Sequence, residues 1–194
     1  MNLLIAGLII FLSLHSVRIV ADGWRVRKLA QWGEGTWKGV FSVLSIAGFG
    51  LIVWGFGQAR QQPVVLWVPP VAMRHVAAGL MLLSLILLVA AYVPGNAIKA
   101  KLHHPMVLGV KTWATAHLLA NGKLADVLLF GSFLLWAVAC FIAARKRDRA
   151  AGTVYTPGKA VPTLITVVLG LAVYGGFVAY LHQFLIGVPI FGRS

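Results

Sequence analysis

Residues 104–122 of this chain read HPMVLGVKTWATAHLLANG, and this stretch decides how many times the chain crosses a membrane. It is apolar enough to enter a bilayer, yet it carries His104, Lys111 and His117. Ionisable groups at membrane depth are costly, so we interpret them first as a functional site or a polar path. A second such pair, His15 and Arg18, lies at the end of the first apolar segment. We expect the function of the protein to lie at these two places.

The composition places the chain among membrane proteins. Of its 194 residues, 60% are hydrophobic and only 11% are charged, whereas a soluble domain has about 25% charged residues. We therefore predict an all-α, polytopic transmembrane helical bundle that forms a single integral membrane domain over residues 1–194. A net charge of +13 would indicate nucleic acid in a soluble protein. Here the basic residues lie mostly in predicted loops, so we expect membrane lipid and no nucleic acid as partner.

Five segments have the length and composition of membrane spans. They cover about residues 2–20, 36–57, 73–93, 124–144 and 162–185, each near the ~20 residues that a hydrocarbon core requires. The segment 105–121 is short for a sixth span, at 17 residues. The loop charges then decide whether it crosses.

If the segment 105–121 crosses, eleven basic loop residues lie on one face of the membrane: Arg25, Arg27, Lys28, Lys38, Lys99, Lys101, Arg145, Lys146, Arg147, Arg149 and Lys159. Only Arg60, Arg74, Lys123 and Arg193 then lie on the other face. Without that crossing, the five charges of the predicted loop 145–161 change sides and the bias nearly vanishes. The positive-inside rule therefore favours six spans, the fourth of them short, with both termini outside the cytoplasm.

Polar residues near the end of the first span share one helical face. His15, Arg18 and Asp22 follow i, i+3, i+7 spacing. One interpretation is structural: Arg18 extends to the interface and pairs with Asp22. The other is functional: His15 is a buried ligand, and Arg18 beside it holds an anionic group.

The histidines of the fourth span face different neighbours. On a helix, His104 and His117 are separated by about 140° around the axis, so one metal cannot bind both from the same side. His75 and His182 are predicted to lie toward the outer ends of their spans, and His103 to lie in a cytoplasmic loop.

The chemistry that this chain lacks excludes several classes of enzyme. Its acidic residues are only Asp22, Glu34, Asp126 and Asp148, and it has no HExxH, CxxC or glycine-rich phosphate motif. A hydrolase or a two-metal site is therefore disfavoured. Imidazoles inside an apolar helical bundle are typical ligands of a haem or of a single transition metal. Without a CxxCH motif, such a haem would be held without covalent attachment.

The run from His104 to Gly122, together with Leu14-His15-Ser16-Val17-Arg18, resembles the NnrU family of bacterial membrane proteins. That family is linked to denitrification and nitric oxide metabolism, and it includes the plastid 15-cis-zeta-carotene isomerase, a haem b enzyme. The resemblance covers nearly the whole chain in length and span pattern. It implies haem b with His15 and His117 as the axial iron ligands, Arg18 near a propionate, and His104 as a further cofactor-binding residue. It also implies an apolar polyene or other small-molecule ligand, and redox partners in the membrane.

Span depth by itself indicates a different pairing of the histidines. His15 lies in the inner half of its span, while His117 lies about 18 Å from the cytoplasmic start of the fourth span, at 1.5 Å of helix rise per residue. Depth alone would pair His15 with His104, and His117 with His75 or His182.

Two other functions remain open from the sequence. One is a non-catalytic membrane factor that supports nitrite or nitric oxide reductase systems. The other is a membrane methyltransferase that uses S-adenosylmethionine, because His104-Pro105 followed by Gly109 resembles the Arg-His-Pro motif of such enzymes. In this chain His103 stands in place of that arginine, and the glutamate-bearing C-terminal part of the pattern is missing.

Overall fold

A computed structural model describes residues 1–188, and within that range the chain is all-helical, as predicted, with two isolated β-bridges and no strand. The helices are α1 (Asn2–Val20), α2 (Asp22–Ala59), α3 (Ala72–Tyr92), α4 (Ala97–Leu102), α5 (Pro105–Ala120), α6 (Leu124–Ala150), α7 (Ala160–Gly176) and α8 (His182–Ile186). A π-helical turn, Phe177–Leu181, joins α7 to α8.

Five helical stretches are long and apolar enough to cross a membrane, namely α1, α2, α3, α6 and the stretch Ala160–Ile186. They correspond to the five segments predicted from the sequence. The short segment 105–121 is helical, as α5, but with 16 residues α5 is shorter than each of the five candidate membrane spans. Six crossings therefore stay a prediction, and Arg193 and the carboxyl terminus lie outside the described residues.

Two predicted loops are partly helical in the structure. Residues 22–35 were expected to form a loop, yet α2 begins at Asp22, and a backbone break at Gly33 (φ 78°, ψ 162°) divides it in two. Glycine adopts such a positive φ without the steric cost that other residues meet. In the predicted loop 145–161, α6 continues to Ala150, because arginine, lysine and alanine favour helix and cations suit a helix C-terminus.

The chain divides into two compact units. The first contains Met1–Val68 with Asn121–Ala143, and the second contains Pro69–Ala120 with the chain from Ala144 onward. The residues of α6 from Ala144 to Ala150 therefore belong to the second unit.

Glycines allow α1 and α2 to pack backbone against backbone in the first unit. A Cβ atom at Gly7 would lie 2.6 Å from the backbone nitrogen of Ile52, and one at Gly55 would overlap the backbone of Leu4. Small residues at helix interfaces permit this close approach in membranes. Helix α6 contacts the pair through aromatic rings, such as Phe133 against Phe11 at 5.8 Å between centroids.

In the second unit, α3 packs against both α5 and α7. The Ser84 hydroxyl on α3 donates a buried 2.8 Å hydrogen bond to the carbonyl of Gly109 on α5. Gly170 of α7 lies against Ile86 of α3, where an added Cβ would come within 2.6 Å of the Ile86 side chain. These contacts set the position of α5, which carries His117 and begins directly after His104.

Asn96 fixes the turn that leads to His103 and His104. It is 1% exposed, its amide donates to the carbonyls of Ala90 and Val93, and its side-chain oxygen accepts from the Lys99 amide. The backbone of α4 is in turn held by Thr163, whose hydroxyl oxygen accepts from the Ala97 amide at 2.8 Å. The start of α4 is therefore anchored to the start of α7.

Candidate functional site

His15 of α1 lies among aromatic side chains of the first unit. Its ring stacks on Phe11 at 4.1 Å and meets the rings of Phe41 and Trp136 edge-on, at 5.0 and 6.2 Å. Its Nδ1 lies 2.7 Å from the Phe11 carbonyl oxygen. Because a carbonyl only accepts, Nδ1 carries the proton, and in the neutral ring Nε2 keeps its lone pair. This is the tautomer that a backbone-oriented, metal-ligating histidine adopts.

Two buried polar atoms of the first unit make no hydrogen bond to the described part of the chain: the indole nitrogen of Trp136 and the hydroxyl of Ser45. Trp136 lies beside the His15 ring. Ser45 lies one turn before Gly48, which packs against Phe11. Buried donors are nearly always satisfied, so an unpaired one indicates a missing partner such as a ligand.

The structure gives Asp22 a different partner from the one the sequence indicated. Its carboxylate accepts a 2.6 Å charge-assisted hydrogen bond from the Arg25 guanidinium, three residues further along α2. The expected Arg18–Asp22 pairing assumed one continuous helix, whereas Ala21 separates α1 from α2 with φ −143° and ψ 40°. Arg18 lies exposed in the last turn of α1.

His117 belongs to the second unit. Its ring meets Trp113 of the same helix edge-on at 5.6 Å. His182, the first residue of α8, lies near enough for the two imidazoles to interact electrostatically. His117 with His182 is one of the pairs that span depth indicated, and the π-helical turn lies directly before His182. Such turns are frequent at functional sites.

His103 and His104 are positioned in a polar cluster near the end of α6. His104 Nε2 lies 2.7 Å from an Asp148 carboxylate oxygen, which also accepts a 2.8 Å hydrogen bond from the Tyr155 hydroxyl. The His103 ring stacks on Tyr155 at 3.8 Å, and Arg145 donates to His103 Nδ1. His103 is the one non-glycine residue with positive φ in residues 1–188.

The partners of His103 and His104 in this cluster lie in residues 145–161, which were predicted to form a loop. Asp148 is the single acid in the basic run RKRDR of residues 145–149, and His103 precedes the His-Pro motif directly. The sequence signal for this contact was the single carboxylate of Asp148 within a run of cations, together with the adjacent pair His103 and His104. The separation of 44 positions between His104 and Asp148 concealed the contact.

The cluster shifts the acidity of two of its members. The pKa of Asp148 lies below the ordinary value of 3.8, chiefly because the Tyr155 hydroxyl donates to the carboxylate, with His104 and Arg145 adding to the effect. The pKa of Tyr155 is raised, first by burial and then by its hydrogen bond to the Asp148 carboxylate. Asp148 is therefore ionised and Tyr155 is protonated at neutral pH.

Asp148→Asn is expected to lower thermal stability at neutral pH. A depressed pKa in the folded state means that the ionised carboxylate stabilises the fold, and that this stabilisation is lost as pH falls through the folded-state pKa. Thermal unfolding followed by tryptophan fluorescence should show a gap between the native protein and the variant that closes as pH falls below 3.8. A gap that does not change with pH would contradict an ionised Asp148 as its source.

Within the described residues, no group of three or more histidine, cysteine or acidic side chains forms a candidate metal site. The fold and these residues define a helical membrane protein with ionisable side chains inside its helices.

The sequence model of the family described as NnrU protein matches residues 3–190. The chain belongs to the NnrU family, and the resemblance recognised in residues 104–122 is confirmed. No curated protein and no solved structure gives a significant match.

Proposed function

We propose that this NnrU-family membrane protein binds haem b without covalent attachment, and that His15 and His117 are the residues that would hold the iron. The observation that carries the proposal is the hydrogen bond between His15 Nδ1 and the Phe11 carbonyl. That bond orients the ring and leaves Nε2 as the ligating nitrogen, as second-shell partners do for metal-bound histidines. The family resemblance supplies His117 as the second ligand.

The surroundings of His15 suit a large aromatic macrocycle. Phe11, Phe41 and Trp136 present rings around the imidazole, and the Trp136 indole nitrogen is buried without a partner among the described residues. A carboxylate or another acceptor on a bound ligand would satisfy that donor. Arg18, one turn from His15, carries a planar fork that suits a propionate.

A haem iron held by two histidines would supply one-electron chemistry. The residues of this chain would hold the group, orient its ligands and exclude water. This role agrees with the family's link to denitrification and nitric oxide metabolism, or with redox-dependent isomerisation of a polyene double bond. The inner membrane of a bacterium is the proposed location.

Protein purified in mild detergent from haem-replete cells is expected to show a Soret band and to give a b-type haem in pyridine. A colourless preparation that takes up no haem on titration would refute the proposal.

Trp136→Phe tests the unpaired indole nitrogen separately. We expect haem affinity to fall about fivefold, the effect of one net hydrogen bond. The haem-free variant should be as stable as the haem-free native protein, because phenylalanine buries no unpaired donor. Trp54→Phe, at a residue of α2 that is 63% exposed, should change neither property. Unchanged haem affinity in Trp136→Phe would remove Trp136 from the site.

We also propose that α5 crosses the membrane, which gives six spans and places both termini outside the cytoplasm. The support is the loop-charge bias, because the basic end of α6 then lies on the cytoplasmic face. A topology reporter inserted at Ala151 should be active only inside, and one fused after Ser194 only outside. Activity of both on one side would exclude the sixth span.

A further inference from the structure

A cavity of about 180 Å³ lies in the second unit, at the end of α6. Its lining includes His103, Arg145, Asp148, Arg149 and Tyr155. The two arginines are four residues apart, so they project from the same face of the helix. The cavity is open, and its lining residues do not include His15 or His117, the residues proposed to hold haem.

The charges around the cavity favour an anion. Among the described residues, Asp148 is the only acidic one that lines it, and the Asp148 carboxylate already accepts hydrogen bonds from Tyr155 and His104. Arg149 is exposed, and its side chain makes no hydrogen bond or ion pair to the described residues. The cavity is therefore lined by two guanidinium groups, and its carboxylate already has hydrogen-bond donors.

We propose that this cavity binds the phosphate of an anionic phospholipid headgroup, with Arg149 as the principal contact and Arg145 as the second. Guanidinium groups bind phosphate oxygens through two parallel hydrogen bonds, which a point charge cannot reproduce. His103 and Tyr155, stacked on each other, form a rigid wall of the site.

The position of the cavity in the fold indicates a lipid rather than a soluble phosphate. It lies immediately after the apolar part of α6, where the chain enters the basic run of residues 145–149. Clusters of cations directly beside a membrane span attract anionic lipid headgroups. Cations at a helix C-terminus also interact favourably with the helix dipole. That interaction explains why the last turn of α6 is basic. It does not explain why Arg145, Arg149 and His103 line a common cavity.

The test measures binding of tail-labelled phosphatidylglycerol to the full chain in neutral detergent, at low salt and at about 0.5 M salt, where long-range attraction is screened. Arg149→Ala should weaken binding about fivefold or more at high salt, and Arg149→Lys should recover only part of the loss. Lys146→Ala is the matched control, because Lys146 is an exposed cation in the same turn that does not line the cavity. Lys146→Ala should weaken lipid binding at low salt only.

Equal losses in Arg149→Ala and Lys146→Ala at high salt would overturn the proposal, since they would indicate diffuse attraction to the basic run. Equal binding of phosphatidylcholine would overturn it as well, because that headgroup has no net charge. Displacement of the labelled lipid by inorganic phosphate at low millimolar concentration would assign the cavity to a soluble anion and overturn the lipid as occupant. All variants should elute as the native protein does in size-exclusion chromatography.

Discussion

His15→Ala is expected to reduce the haem b content of the purified protein by about tenfold or more, because loss of an axial ligand exceeds the tenfold to hundredfold effect of losing a second-shell partner. His117→Ala should give a similar loss. The measurement is the ratio of Soret to protein absorbance in detergent-purified samples from the same cells. His103→Ala, which alters the cavity at the end of α6, should keep its haem.

Imidazole added to His15→Ala separates a lost ligand from a damaged fold. If the space beside Phe11 and Trp136 is intact, free imidazole should restore part of the haem binding. Full haem content in His15→Ala, with loss in both His117→Ala and His182→Ala, would instead assign the haem to the pair that span depth indicated. Full content in all three variants would refute histidine ligation at these positions.

Gly55→Ala is expected to destabilise the protein by about 1–3 kcal/mol, the cost of overpacking a well-packed interface. An added methyl group at this residue overlaps the backbone of Leu4, and a backbone, unlike a flexible side chain, cannot rotate away. Helices α1 and α2 must therefore separate. Thermal unfolding in detergent, followed by tryptophan fluorescence, measures the change.

Gly50→Ala is the matched control for that prediction. Gly50 lies on the same helix, but nothing approaches its Cβ position within 4 Å. Alanine there should be neutral, or should stabilise the helix by up to about 1 kcal/mol through its higher helix propensity. Equal destabilisation by the two variants would mean that close packing of α1 on α2 is not what Gly55 provides.

The pattern of apolar residues determined much of the architecture before any contact was known. Five runs of about 20 apolar residues became the five long helices, because a membrane requires each backbone segment to satisfy its own hydrogen bonds. The motif from His104 to Gly122 indicated the NnrU family, which the family match to residues 3–190 confirmed. The tautomer of His15 was not available from the sequence, although the residue itself was identified as a candidate.

Helix boundaries and side-chain partners depended on the tertiary structure. Asp148 and Tyr155 were assigned to a loop by charge and composition, yet they meet His104 and His103 because Asn96 and Thr163 hold α4 against the start of α7. The pairing of Asp22 with Arg25 likewise followed from the break at Ala21. Hydropathy is a property of segments and can be read along the chain. A contact between residues 44 positions apart depends on how helices pack, which no local pattern encodes.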